Sequence, residues 1–175
     1  MPSSTFDKIS NFALIVLLAG FTWVIYDAFT ERLVEVGDTA PSFSVTTDEG
    51  KTLTRANFGG KILVLNFWAS WCQPCVEEIP SLNQLQKELG SKGLVVLGIS
   101  VDKNEASYKK FLKRARISFN TSLDKEANVS SSYGTFKYPE TYIIGPDGKV
   151  LEKIISNRNW VKDAIYGRLE GLLSR

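Results

Sequence analysis

Two nearly continuous apolar runs, Lys61–Phe67 (KILVLNF) and Leu94–Val101 (LVVLGISV), constrain this chain most. Both are rich in branched residues and lack the apolar–polar alternation of a strand with one wet face. Each therefore reads as a strand buried on both faces. Between them Cys75–Leu89 carries Ile79, Leu82, Leu85 and Leu89 at helical spacing, and Gly90 stands where that helix should stop. Buried strands alternating with a helix imply an α/β domain.

The flanking sequence extends the pattern. Phe43–Thr46, the turn Asp48-Glu49-Gly50 and Lys51–Thr54 read as a hairpin. Glu105–Arg114 places Tyr108, Phe111 and Leu112 on one side of a helix, and Lys125–Tyr133 is a weaker helical segment. Tyr142–Ile144, the turn Gly145-Pro146-Asp147-Gly148 and Val150–Ile155 form a second hairpin. Arg158–Leu173 closes the chain as an amphipathic helix through Trp160, Ile165, Leu169 and Leu172. The sheet is expected to be mixed.

The N-terminus is of another kind. Ile9–Tyr26 contains no charge and is mostly apolar; at ~1.5 Å per residue it spans roughly 27 Å, close to the ~30 Å of a bilayer core. Trp23, Tyr26 and Phe29 stand at its far end, where aromatics collect at a membrane interface. The α-amine and Lys8, offset by Asp7, precede it, and Asp27, Glu31 and Arg32 follow, a bias that favours the N-terminus inside. A cleaved signal peptide is the rival reading, but no clear small-x-small site is present. The organisation expected is a cytoplasmic stub and transmembrane signal anchor over 1–29, a linker over 30–36 and a folded domain over 37–175. That domain would face the periplasm or cell exterior.

Composition removes most chemistries. With 21 basic and 19 acidic residues interspersed, no basic face suggests nucleic acid. The chain has no His, so a Ser-His-Asp triad, a His-ligated metal and an imidazole base are all impossible. Its two cysteines, Cys72 and Cys75, stand in Phe67-Trp68-Ala69-Ser70-Trp71-Cys72-Gln73-Pro74-Cys75, between a buried strand and a helix. A zinc site needs about two more N or S ligands, and haem attachment needs His where Val76 stands. A structural disulfide stays open, but so short a loop constrains little unfolded-chain entropy. A redox dithiol suits the position better. Cys72 falls at a helix N-terminus, where free N–H groups and the dipole favour a thiolate. Pro74 fits the first turn. Cys72 is then the exposed nucleophile and Cys75, one turn inside, the resolving thiol.

These residues resemble the thioredoxin superfamily. Trp71-Cys72-Gln73-Pro74-Cys75 after a strand, Pro80 five residues on, and Tyr138-Pro139 match its active-site motif, helix-kinking proline and cis-proline. The segments Gly37–Phe43 and Pro139–Val150, with the anchor, are similar to the TlpA/ResA-like branch of membrane-tethered, extracytoplasmic thiol-disulfide oxidoreductases. The resemblance covers about residues 35–175. It implies a thioredoxin-like fold with an N-terminal hairpin and a central insertion, preceded by one transmembrane helix. It also implies a cis bond at Pro139 that leaves the Tyr138 backbone free to pair with an extended substrate, and Trp71 at the lip of Cys72, with Trp68 in the core. Most thioredoxins carry a buried Asp where this chain has Asn66, which cannot take a proton. In the ResA-like branch a glutamate at the position of Glu78 serves the active site. Glu78 shares a helical face with Cys75, whereas Glu77 points away. The alternative for Glu78 is a solvated acid complementing the helix N-terminus.

The function expected is reduction of disulfides in secreted proteins or apocytochrome c. In an oxidising compartment this requires electrons from a membrane-embedded donor. No cofactor is expected, and the chain should be a monomer. Three alternatives are weaker. A disulfide-introducing oxidase would favour a His between the cysteines. A peroxiredoxin-like peroxidase would need Pro and Thr or Ser where Leu65 and Ala69 stand. A non-catalytic binding module or copper carrier would want further soft or imidazole ligands.

Overall fold

A computed structural model describes residues 4–29 and 33–174. They fall into two units, Met1–Arg32 and Leu33–Arg175. The first is one helix, α1 (Ser4–Phe29), within which Lys8–Tyr26 is long and apolar enough to cross a membrane. Residues 30–32 of the expected linker, and the flanking side chains of Asp7, Asp27, Phe29, Glu31 and Arg32, lie outside the described residues.

The second unit begins with a two-stranded antiparallel hairpin, β1 (Ser44–Thr46) and β2 (Thr52–Thr54). There follow β3 (Ile62–Trp68), α2 (Gln73–Leu89), β4 (Leu94–Ser100), α3 (Glu105–Ala115), β5 (Asn120–Leu123), α4 (Asn128–Ser132), β6 (Glu140–Ile144), β7 (Val150–Ile155) and α5 (Ala164–Leu173). The five-stranded sheet has the order β5-β4-β3-β6-β7. β3, β4 and β5 run parallel, while β6 and β7 pair antiparallel. This is the mixed α/β thioredoxin-like fold, with α3 and β5 as its central insertion.

All of β3 is buried, as its unbroken apolar run implies. Successive side chains alternate between the sheet faces. Leu63, Leu65 and Phe67 pack with Phe43, Phe58, Tyr133 and Tyr142 on one face. Ile62 and Val64 meet Leu82, Leu85 and Leu89 of α2 and Ile165 and Leu169 of α5 on the other. Trp68 continues that second face against Tyr108 and Phe111 of α3. Asn66, between Val64 and Trp68, is thus a polar position on the face that α2 covers.

Two local expectations need correction. The last helix begins at Ala164, with Asp163 as its N-cap, so Trp160 sits in the turn before it. Trp160 is nonetheless fully buried; its spacing reported burial without helix. The segment Asn120–Leu123, with no apolar run to announce it, is the edge strand β5, and only Asn128–Ser132 of the weaker helical segment is helical.

Candidate active site

The parallel register of β3 and β4 ends at Trp68 and Ser100, so the segments leaving the two strands emerge side by side. In open α/β sheets this carboxyl edge is where ligand sites form. Here Asp102, buried just beyond β4, accepts from the Ser70 main-chain N–H at 2.9 Å, the Ser70 hydroxyl at 2.7 Å and the Ser100 hydroxyl at 2.7 Å. It ties down the loop that carries the chain from Trp68 to Cys72.

Cys72 is the N-cap of α2, and its Sγ accepts the Cys75 N–H at 3.3 Å. Pro74 lies in the first turn, where a missing N–H leaves no partner unsatisfied. Pro80 lies inside the same helix, which continues to Leu89. The two sulfurs are joined in a disulfide, S–S 2.10 Å. Cys75 is 0% exposed and Cys72 only 6%, so the expectation of an exposed Cys72 needs correction. The capping bond turns its sulfur back over the helix end, and Trp71, at 68% exposed, is the residue that projects.

The Tyr138–Pro139 peptide bond is cis. Tyr138 packs against the cluster that holds Cys72 and Cys75, and Trp71 meets its ring edge-on at 6.1 Å. The structure therefore brings Trp71, Cys72, Pro74, Cys75, Tyr138 and Pro139 to one end of the sheet. Trp68 is buried in the core.

Glu78 lies one turn beyond Cys75 and is 2% exposed, which removes the reading as a solvated acid. Its Oε1 accepts from Asn66 Nδ2 at 2.8 Å. Its Oε2 accepts from Trp160 Nε1 at 3.1 Å and from the Arg158 main-chain N–H at 3.3 Å. Burial pushes this carboxyl up to about 7, against the pull of the three donors. Asn66 Nδ2 also donates to Thr141 Oγ1 at 2.8 Å, which links β3, α2 and β6. Glu77, by contrast, is exposed and meets Gln73 and Asn157.

Three residues of this neighbourhood escaped the sequence reading. Asp102 follows a buried strand, the only local hint of its role. Trp160 reads as a core aromatic, and its partner is 82 residues away. Glu140 directly follows Pro139, and that adjacency was its signal. It is 1% exposed and faces the opposite side of the sheet, where the Tyr142 hydroxyl donates to it at 2.6 Å and Lys153 lies 3.6 Å away. Burial raises its carboxyl above the usual range.

Among the described residues no group of three or more His, Cys, Asp or Glu side chains is placed to hold a metal. An apolar groove of ≈ 490 Å³ lined by Ile143, Leu151, Ile165 and Leu169 contains none of the site residues. Chemistry, more than concavity, marks the site. A dithiol at a helix N-terminus, with a buried carboxylate near 7 behind it and a cis-proline loop beside it, can exchange disulfides and move the accompanying proton.

Comparison with known proteins agrees. The AhpC/TSA family matches residues 36–153. The thiol-disulfide oxidoreductase ResA of Geobacillus thermodenitrificans is 35% identical over 161 residues, 91% of this chain and 91% of that protein. ResA of Bacillus thuringiensis is 33% identical over 143 residues, 81% of this chain and 83% of that protein. Among solved structures, a putative thiol:disulfide interchange protein DsbE from Chlorobium tepidum superposes with a TM-score of 0.75 at 29% identity, covering 80% of this chain and 99% of that one.

Proposed function

Since this chain belongs to the AhpC/TSA family and is a ResA-like thiol-disulfide oxidoreductase, we propose that it works as a reductase of disulfides in proteins outside the cytoplasmic membrane, tethered there by α1. The substrates are secreted proteins or the haem-binding cysteines of apocytochrome c, and a membrane-embedded donor returns the electrons.

In the reduced protein Cys72, as thiolate, attacks one sulfur of the substrate disulfide. A Cys72–substrate disulfide forms, and the other substrate sulfur leaves as a thiolate that takes a proton from water. Cys75 then passes its proton to the Glu78 carboxylate, and its thiolate attacks Cys72 Sγ. The internal disulfide closes, and the second substrate thiolate departs. Two electrons have moved from the dithiol to the substrate. Trp71 and Tyr138 form the rim on which the substrate chain rests, with Pro74 and cis Pro139 shaping its floor.

Buried Glu78 is the observation that carries this reading. An acid poised near 7 both accepts and releases a proton at working pH. When ionised beside the pair it disfavours thiolates. The reduced form is then stabilised less, the opposite of the arrangement that makes a strong oxidant. A peroxidase reading finds no support at Leu65 and Ala69, both buried apolar side chains where that motif needs Pro and Thr or Ser.

A Cys75→Ser variant tests the reading, because it stalls at the mixed disulfide. Mass spectrometry should find extracytoplasmic proteins bound through Cys72. Glu78→Gln in the otherwise unaltered chain should lower the Cys72 thiol pKa by about one unit while slowing release of that mixed disulfide. Trapping of cytoplasmic proteins alone, or a Cys72 that turns over peroxide and traps no protein, would overturn it.

A further inference from the structure

The two oxygens of Glu78 have different kinds of partner. Oε2 faces the Trp160 indole N–H and the Arg158 main-chain N–H. Both are donors only, and neither can turn round to accept. Oε1 faces the amide of Asn66, which has a donor end and an acceptor end. From this asymmetry we infer that Trp160 is a positioning residue for the proton transfer: its indole holds Oε2 as the permanently unprotonated oxygen, so the proton from Cys75 is taken by Oε1, on the Asn66 side.

The partners of Oε1 can follow the proton. When Oε1 gains the proton, a half-turn of the Asn66 amide presents Oδ1 to accept it. The Thr141 hydroxyl, which accepts from Asn66 Nδ2 at 2.8 Å, then reverses and donates. Oε2 keeps both of its donors throughout. Trp160 is fully buried against Leu82, Ile165 and Leu169, so the ring that carries this N–H is fixed by the core.

The surroundings leave few other charges to govern the carboxyl. On α2 the titratable neighbours are Cys75 and Glu77, and Glu77 faces Gln73 and Asn157. β3 and β6 present Asn66 and Thr141, which do not titrate. Glu140 of β6 turns to the other face with Tyr142 and Lys153. From the segment before α5 come the indole and a main-chain N–H. Burial drives the carboxyl up, and the donors restrain it.

The inference rests on Glu78 as proton acceptor, and the experiment separates the two. In the oxidised full-length protein, whose cysteines are bonded and do not titrate, the indole ¹H–¹⁵N resonances of the four tryptophans are followed from pH 5 to 9 by NMR. The Trp160 resonance, assigned by its loss in Trp160→Phe, should move with the Glu78 carboxyl ¹³C signal and be flat in Glu78→Gln. Exposed Trp71 should not follow it. In Trp160→Phe the Glu78 midpoint should rise by about one pH unit, because a donor favouring the carboxylate is gone. A flat Trp160 indole in the parent, or one still titrating in Glu78→Gln, overturns the role of Trp160 even if Glu78→Gln slows turnover. An intact indole titration with parental turnover in Glu78→Gln overturns the proton-acceptor reading, and the role of Trp160 with it.

Discussion

Glu78 ties stability to pH in a direction opposite to that of most carboxylates. Its folded-state pKa is near 7, against an ordinary 4.5. Between those values the unfolded chain has released the proton and the folded chain has kept it. The stability contributed by protonated Glu78 is therefore complete below about 4.5 and is lost as pH rises through about 7. A difference of about two and a half units corresponds to roughly 3 kcal/mol at most. Urea unfolding of the oxidised 33–175 domain should find the parent losing up to ~3 kcal/mol relative to Glu78→Gln between pH 4.5 and pH 8. An offset between the two proteins that is equal at both pH values would show that Glu78 is not held protonated by burial. The helical spacing alone put Glu78 on the face of Cys75. Its burial was not legible, because the covering groups, Asn66 and Trp160, stand 12 and 82 residues away and lie in unrelated local patterns.

Among the elements, β3, β4 and α2 were readable because burial on both faces of a strand and on one stripe of a helix leaves a periodic trace. The edge strand β5 leaves none: Asn120-Thr121-Ser122-Leu123 forms a strand because β4 offers it a parallel partner. Tertiary pairing decides that element. Gly98 in β4 tests how tightly the same region is packed. It lies in register with Asn66 on one side and Thr121 on the other. A Cβ there would come within 2.9 Å of both Trp68 Nε1 and Phe119 Cε2. Neither ring has room to retreat, since Trp68 is 1% exposed and Phe119 7%. Gly98→Ala should therefore destabilise the domain by about 1–3 kcal/mol. Gly167→Ala in α5, where a Cβ meets nothing within 4 Å, should stabilise it by about 0.5–1 kcal/mol through helix propensity. Thermal unfolding of the pair decides the matter. A neutral Gly98→Ala would mean that Trp68 is mobile and that the start of the active-site loop is not anchored by the core.

At the scale of the whole chain, the two units obey different solvents. The domain from Leu33 onward buries most of its large apolar side chains, whereas in α1 Phe12, Leu14, Ile15, Leu17, Leu18 and Phe21 are all more than half exposed. Each such side chain left in water forgoes ~1.5–3 kcal/mol. Together they forgo about as much as the ~5–15 kcal/mol that holds a typical domain folded. A bilayer would supply that burial, and the helix is long and apolar enough to cross one. The full chain should then stay in the membrane fraction through an alkaline carbonate wash, while a chain starting at Leu33 should be soluble and still close its Cys72–Cys75 disulfide. Orientation follows from the flanks. Lys8, beside Asp7, precedes the apolar run, and Asp27, Glu31 and Arg32 follow it, so the orientation proposed is N-terminus inside. Alkaline phosphatase folds only where disulfides form, so its fusion after Arg175 should be active in cells. A silent phosphatase with an active cytoplasmic reporter at the same position would place the dithiol in the reducing compartment, where it would need no membrane-embedded donor.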